Sequence, residues 1–363
     1  MVPFIQVDTD NNVISIFGLY PLNHTHVKRN LELEFEKLTS LSNRQITIRY
    51  SREPSLFLDS SRQVNVFEFL HNLIERTGFK QDLYFRSANP YAAECYDKWC
   101  HNNKIDKKII VSNTTPAHYI GMIVSNNYYL LDTKKDKTLS LLVGCPRLQK
   151  QTVIEWYLKN ISSTDLENNI LSSFVIDNFS PEHWDSSLRN KIKNLPGSFR
   201  DNTSLRGPNF TWNSNSKEVF NFHFSRSLFN FCVDYTEFED FQDYSLYEDF
   251  KKHHSWWHED MISEKTIMCL LFKQPFIRLG MPNSLKILKE WGFRTYDGIL
   301  FDESYDAIEN FYDRSENIFS QVKAYLEQPF ESVYEKVCSP QVQEVVNHNY
   351  NLAMDIIKSD KYL

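Results

Sequence analysis

Glycine scarcity constrains this chain more than any other feature. Only 9 of its 363 residues are glycine, at positions 18, 78, 121, 144, 197, 207, 280, 292 and 298. That is well below the usual ~7%. No pair has the spacing of the dinucleotide-binding G-x-G-x-x-G run, the Walker A loop or the G-x-S-x-G elbow. A chain of this kind that holds phosphates must use charged side chains and helix N-termini instead.

The length suits about two domains at roughly 100–200 residues each. Hydrophobic residues at 41% and charged residues at 24% are ordinary globular values and exclude disorder and collagen-like repeats. A net charge of −7 and a pI near 5.9 disfavour a protein that lives mainly on phosphate-backbone contacts, though a local basic patch stays open. The six cysteines, at 95, 100, 145, 232, 269 and 338, form no C-x-x-C pair. The start, Met1-Val-Pro-Phe, lacks the basic and apolar regions of a signal peptide. The longest apolar runs, such as Ile267 to Phe272, fall far short of the ~20 residues of a membrane span. The expected setting is therefore the cytoplasm, and N-x-S/T sequons such as those at Asn113 and Asn209 are read as chance.

Hydrophobic spacing gives an α/β pattern. Apolar residues at 66, 67, 70, 73 and 74 predict a helix that Gly78 ends. Asp82–Ser87, Ile109–Val111 and Tyr119–Val124 predict strands, and Lys134-Lys-Asp-Lys a solvated link. Thr138–Gly144 predicts a buried strand, followed by a helix with Val153, Ile154, Tyr157 and Leu158 on one face. Residues 195–218, rich in Asn, Ser, Gly, Pro and Thr, read as an irregular insertion. Phe229–Val233 predicts a strand. Pro275–Gly280, helix 284–291 and Phe293–Tyr296 predict a β-α-β unit stopped by Gly292. After Asp306 the pattern is helical to the end. The expected domains are 1–135, 136–306 and a helical segment 307–363.

Five constellations offer chemistry. Ser263-Glu-Lys-Thr266 opens an apolar helix. A capped helix explains Ser263 and Glu264. A cation in the first turn opposes the dipole, however, and a bound anion would compensate Lys265. Gly144-Cys-Pro-Arg147-Leu-Gln-Lys150 joins a strand end to a helix start, and the i, i+3 pair Arg147 and Lys150 would clamp a diphosphate or simply be solvated. Asp234-Tyr-Thr-Glu237 follows a strand and is either a cleft carboxylate or a solvated turn. His253, His254 and His258 lack the H-E-x-x-H frame, and beside Trp256 and Trp257 they suggest a packed or lid segment rather than a metal site. Asp302-Glu-Ser-Tyr-Asp306 either caps the next helix or faces the cleft.

The run Ile262-Ser-Glu-Lys-Thr … Lys-Gln-Pro-Phe-Ile-Arg-Leu-Gly … Lys-Glu-Trp-Gly-Phe-Arg-Thr-Tyr … Asp-Glu-Ser-Tyr-Asp306 resembles the donor-domain signature of glycosyltransferase-like proteins common in bacteriophages and large viruses. More distantly, it is similar to the fucosyltransferase-type T/S-E-K pattern. Leu141–Lys150 resembles that pattern's L-N-R-x-P-R-x-H-R segment, with Lys150 for the second Arg and Gln149 for the His. Val233–Glu237 resembles its V-T-E-T strand end. The resemblance spans roughly 135–306. It implies a GT-B fold, in which two Rossmann-like domains face each other across a cleft. The N-terminal domain would take the acceptor and the C-terminal domain the nucleotide sugar.

The resemblance further implies transfer from a nucleotide diphosphate sugar to a glycan or other hydroxyl acceptor, without metal or another cofactor. Arg147, Lys150, Ser263, Glu264, Lys265 and Thr266 would bind the donor. Glu237 is the candidate base, with Glu53, Asp59 and Glu68 as further options. Phe272 stands where retaining relatives often carry a second Glu, so inversion is expected. A non-enzymatic viral interaction protein that keeps the fold, and a transferase acting on modified DNA bases, are the alternatives.

Overall fold

A computed structural model describes residues 5–16, 24–41, 45–50, 56, 65–87, 89–113, 120, 134–143, 148–161, 164–174, 223–234, 244–258 and 262–359. It is an α/β protein whose chain forms two compact units. The first is Met1–Thr115 together with Tyr244–Met261, and the second is Pro116–Asp243 together with Ile262–Leu363. Thus 244–261, read from sequence as part of 136–306, belongs to the first unit. Trp256 lies 5.7 Å from Phe67, and Asn89 Nδ2 donates to the His258 carbonyl at 2.7 Å.

The first unit is a five-stranded sheet in the order β1(Ile5–Asp8)-β2(Val13–Ile16)-β3(Ile46–Tyr50)-β4(Leu83–Ser87)-β5(Ile109–Asn113). β1 is antiparallel to β2, and all other pairs are parallel. From β2 onward, spatial order follows chain order through helices α1(His24–Leu41), α2(Val66–Thr77) and α3(Ala92–Asn103). Right-handed crossovers that all step the same way place their helices on one face. Burial agrees. Ile14, Ile46, Ile48, Leu83 and Phe85 are buried, with Phe85 against Phe67 of α2. On the other face Arg49, Arg86 and Ile110 are exposed. As the sequence predicted, α2 ends at Gly78, whose φ of 64° is the left-handed conformation glycine adopts without strain.

The second unit holds four parallel strands in the order β7(Ile170–Phe174)-β6(Lys137–Val143)-β8(Ser227–Val233)-β9(Phe276–Leu279). The order reverses between β6 and β8. From β6 the chain steps to β7 through α4(Leu148–Asn160), and from β8 to β9 through α6(Glu264–Leu271). α5(Tyr244–His253) precedes α6 but packs with the first unit. Steps in opposite directions put helices on opposite faces, so both faces of this sheet are covered and β8 is buried along its length. Register aligns Leu139, Leu141, Phe229, Phe231, Ile277 and Leu279 on one face. There Phe231 meets Phe319, and Phe229 meets Tyr325. The other face carries Thr138, Ser140, Asn230, Cys232 and Arg278 under α6.

Three corrections concern this unit. Lys135 is no solvated residue, since its Nζ donates to the Phe224 and Ser227 carbonyls, at 3.2 and 2.5 Å. Burial lowers its pKa to about 8. The predicted strand Phe293–Tyr296 after α7(Ser284–Glu290) makes no ladder beyond the single bridge Asp297–Phe301. Side chains take its backbone groups instead. Asn349 bonds both the N–H and the carbonyl of Arg294, and Glu303 Oε1 accepts Tyr296 N–H at 2.7 Å. Asp302 caps the short 3₁₀ turn Glu303–Ala307, accepting Ser304 N–H at 3.0 Å, but the segment does not cap the α-helix that follows, α8(Phe311–Leu326). Asn310 does that, while Asp306 accepts Leu285 N–H at 3.0 Å and so caps α7 behind it.

The helical ending is as expected: α8, α9(Phe330–Val337) and α10(Pro340–Ser359) follow, with Val342, Val346 and Ala353 of α10 buried. Among the described residues no helix is long and apolar enough to cross a membrane. The predicted strand 119–124 (Ile120 apart) and insertion 195–218 lie outside the described residues.

Candidate functional site

The second sheet's reversal fixes where a site belongs. In open α/β sheets the strand ends on either side of such a reversal leave a crevice at their carboxyl edge. β8 delivers Asp234 to that edge. Its side chain is almost fully buried, at 1% exposure. Four donors converge on it. Arg278 Nε lies 2.6 Å from Oδ2, Thr266 Oγ1 2.8 Å and Ser263 N 3.3 Å, and the Ser263 hydroxyl donates to Oδ1. Burial opposes the charge on Asp234, but Arg278 and Ser263 outweigh it and hold the carboxyl below its usual range.

Arg278 is itself fully buried, in the middle of β9. Its guanidinium has room because residue 280 is glycine: a Cβ there would lie 2.8 Å from Arg278 Cζ. The Gly280 carbonyl accepts from Arg314 Nε at 3.2 Å, and Arg314 is also buried. Asp306 completes the cluster. Burial raises its pKa against the pull of Arg278.

The start of α6 is a capped helix, as read. Ser263 accepts Lys265 N–H at 3.2 Å. The expected anion beside Lys265 has a counterpart within the chain. Lys265 Nζ lies 2.7 Å from Glu264 Oε1, with side-chain exposures of 10% and 25%. Burial disfavours both charges, yet each holds the other ionised: the Lys265 pKa is raised and that of Glu264 lowered. At this edge the cations Lys265, Arg278 and Arg314 face the carboxylates Asp234, Glu264 and Asp306, so the described charges balance.

Four of the sequence-predicted site residues, Ser263 to Thr266, therefore meet around Asp234. Lys150 lies half-buried in the first turn of α4, which follows β6. Arg147 and Glu237 lie outside the described residues, as do Glu53 and Asp59. Glu68 is exposed in the first turn of α2. Asp234 is not the solvated turn that its sequence context allowed, and Arg278 was missed. A signal existed: Phe276-Ile-Arg-Leu279 places one arginine inside a run with burial on every side. His254 stacks on Phe250 at 4.0 Å, and His258 packs edge-on to Tyr91 at 4.2 Å. Both serve the packing of the first unit. No family model, curated protein or solved structure matches the chain.

Proposed function

We propose that the second unit binds a nucleotide diphosphate sugar at the carboxyl ends of β6 and β8, and that the protein transfers the sugar to a hydroxyl acceptor. One observation carries the reading: the Ser263–Thr266 helix start is held at the carboxyl edge of a parallel sheet whose strand order reverses there. In this reading Glu264 accepts bonds from the ribose hydroxyls and Lys265 meets the diphosphate, shared with Glu264. Further contacts to the diphosphate come from Arg147 and Lys150, which stabilise it as it leaves. Glu237, the carboxylate three residues beyond Asp234, is the candidate base. The first unit takes the acceptor, and no metal is required. A viral protein acting in the host cytoplasm fits the resemblance. Commitment of the Ser263 and Thr266 hydroxyls to Asp234 favours a second reading, in which the fold is kept without catalysis.

Thermal unfolding with nucleoside diphosphates and nucleotide sugars separates the two. A donor at 100 times its Kd should stabilise by about 2.7 kcal/mol. The shift should survive chelator and disappear in Arg147→Ala/Lys150→Ala. No shift with any nucleotide would leave the non-catalytic reading, and a shift that needs Mg²⁺ or Mn²⁺ would overturn metal independence.

A further inference from the structure

The first unit's sheet has a face that folding leaves unexplained. Helices α1 to α3 lie on the Ile48/Phe85 side, and Trp256 of the 244–258 segment joins them there against Phe67. The opposite face is the more exposed one among the described residues, although Val13 on it is buried. Register lines up Gln6, Ser15, Arg49, Arg86 and Ser112 in one row across all five strands. Gln6, Arg49 and Arg86 are exposed, and Ser15 and Ser112 half-buried. The neighbouring row brings half-buried Tyr84 beside Ile110, which is 44% exposed.

Arg49 and Arg86 are direct cross-strand neighbours. Like charges so placed destabilise a sheet. Among the described residues neither makes an ion pair or hydrogen bond. The one carboxylate among the strand residues of this face, Asp8, sits on the edge strand, and its oxygens are taken by Asp10 N, Asn11 N and Asn11 Nδ2. In a chain of net charge −7, two adjacent outward-facing arginines that share one carboxylate, Asp8, whose pKa Arg49 helps to lower, leave this face net positive and point to an anionic ligand.

We propose that this face binds single-stranded nucleic acid. The five strands make a platform about 19 Å wide at ~4.8 Å per strand. The Arg49 and Arg86 forks meet phosphate oxygens. Tyr84 offers its ring to an unstacked base, and aromatic stacking is indifferent to base identity. The neutral Gln6, Ser15 and Ser112 suit base edges and sugar hydroxyls. An anionic membrane would call for clustered lysines and a broad apolar surface, which these two rows lack. The inference is independent of the nucleotide-sugar site.

The test is fluorescence anisotropy of the full chain with a labelled 15-mer of mixed single-stranded sequence. Two phosphate contacts give a salt slope of about −1.4, so affinity should fall roughly sevenfold between 50 and 200 mM salt. Arg49→Ala/Arg86→Ala should abolish that slope and weaken binding at 50 mM about tenfold or more, while leaving melting temperature unchanged or raised. Arg49→Lys/Arg86→Lys should keep the slope. Tyr84→Ala should weaken binding without altering the slope. The nucleoside diphosphate response should be untouched in all three. The proposal fails if the 15-mer does not bind at 50 mM, if the double alanine variant binds equally well, or if only a sulfated polysaccharide binds.

Discussion

The two sheets follow the same right-handed rule and end with different chemistry. The first steps always one way, so its helices share a face, its inner side is aliphatic and aromatic, and no crevice opens between β2 and β5. The second reverses between β6 and β8. Its helices cover both faces, and one buried face carries Asn230, Cys232, Asp234 and Arg278 instead of an unbroken aliphatic run. Strand order therefore decides which unit can hold a ligand at its strand ends. The buried ion pair sits in the sheet where topology places a site. Hydrophobic packing of similar volume is often as stable as such a pair, so its presence is better explained by orienting the start of α6 than by stabilising the unit.

The largest break of this comparison is Asp234→Asn. It leaves Arg278 buried without its charge partner, which should cost about 3–5 kcal/mol. Adding Arg278→Met should restore much of that loss, because the two residues are coupled rather than independent. Urea unfolding of single and double variants measures both. If the double variant loses the sum of the single effects, the Asp234–Arg278 contact is not the unit of stability.

Gly280→Ala probes the same contact more gently. The new Cβ would press on the guanidinium, and crowding of this kind typically costs about 1–3 kcal/mol. In an Arg278→Met background the added methyl has no guanidinium to meet, and its cost should shrink. Equal losses of melting temperature in both backgrounds would show that Gly280 answers to the backbone, not to Arg278.

Much of this architecture was legible in the sequence, and the reasons differ by element. Helix α2 was readable because its apolar period and its Gly78 stop agree. The cap of α6 was readable because Ser263 acts locally, on an N–H two residues away. The partner of Asp234 was not, since Arg278 lies 44 residues on and becomes its neighbour only through the pairing of β8 with β9. Lys135 and Arg294 of the predicted strand were misread for the same reason, as their partners come from distant segments. Local pattern gives the elements. It does not report which backbone groups a remote side chain will occupy.

The smallest expected effect separates the units by pH. In the first unit, Tyr96 Oη accepts the N–H groups of Lys108 and Ile109, at 2.9 and 3.1 Å. The same hydroxyl meets His71 Nε2, 2.9 Å away, and the Cys100 thiol. Nδ1 is buried with no hydrogen-bond partner. A protonated ring carries an N–H on both nitrogens, leaving Nδ1–H without an acceptor and Nε2–H against a hydroxyl that already receives two donors. Burial, reinforced by Lys108 and only partly opposed by Glu75, lowers the His71 pKa. The unfolded chain, with His near 6.5, then binds the proton more readily than the folded one. His71 therefore leaves the first unit fully stable above about pH 6.5 and weakens it as pH falls below that value. In the second unit Asp234 and Glu264 have lowered pKa values. Their contribution is present above the ordinary carboxylate range, near pH 4, and is lost only as pH falls through their folded values. Between pH 7 and 5, then, only the first unit should loosen. Hydrogen exchange at the two pH values, corrected for intrinsic rates, should show protection falling across Phe67–Leu73 and holding across α6. His71→Phe should remove the difference in the first unit. Parallel loss in both units, or a pH response that survives the His71 substitution, would assign the acid sensitivity to groups other than this histidine.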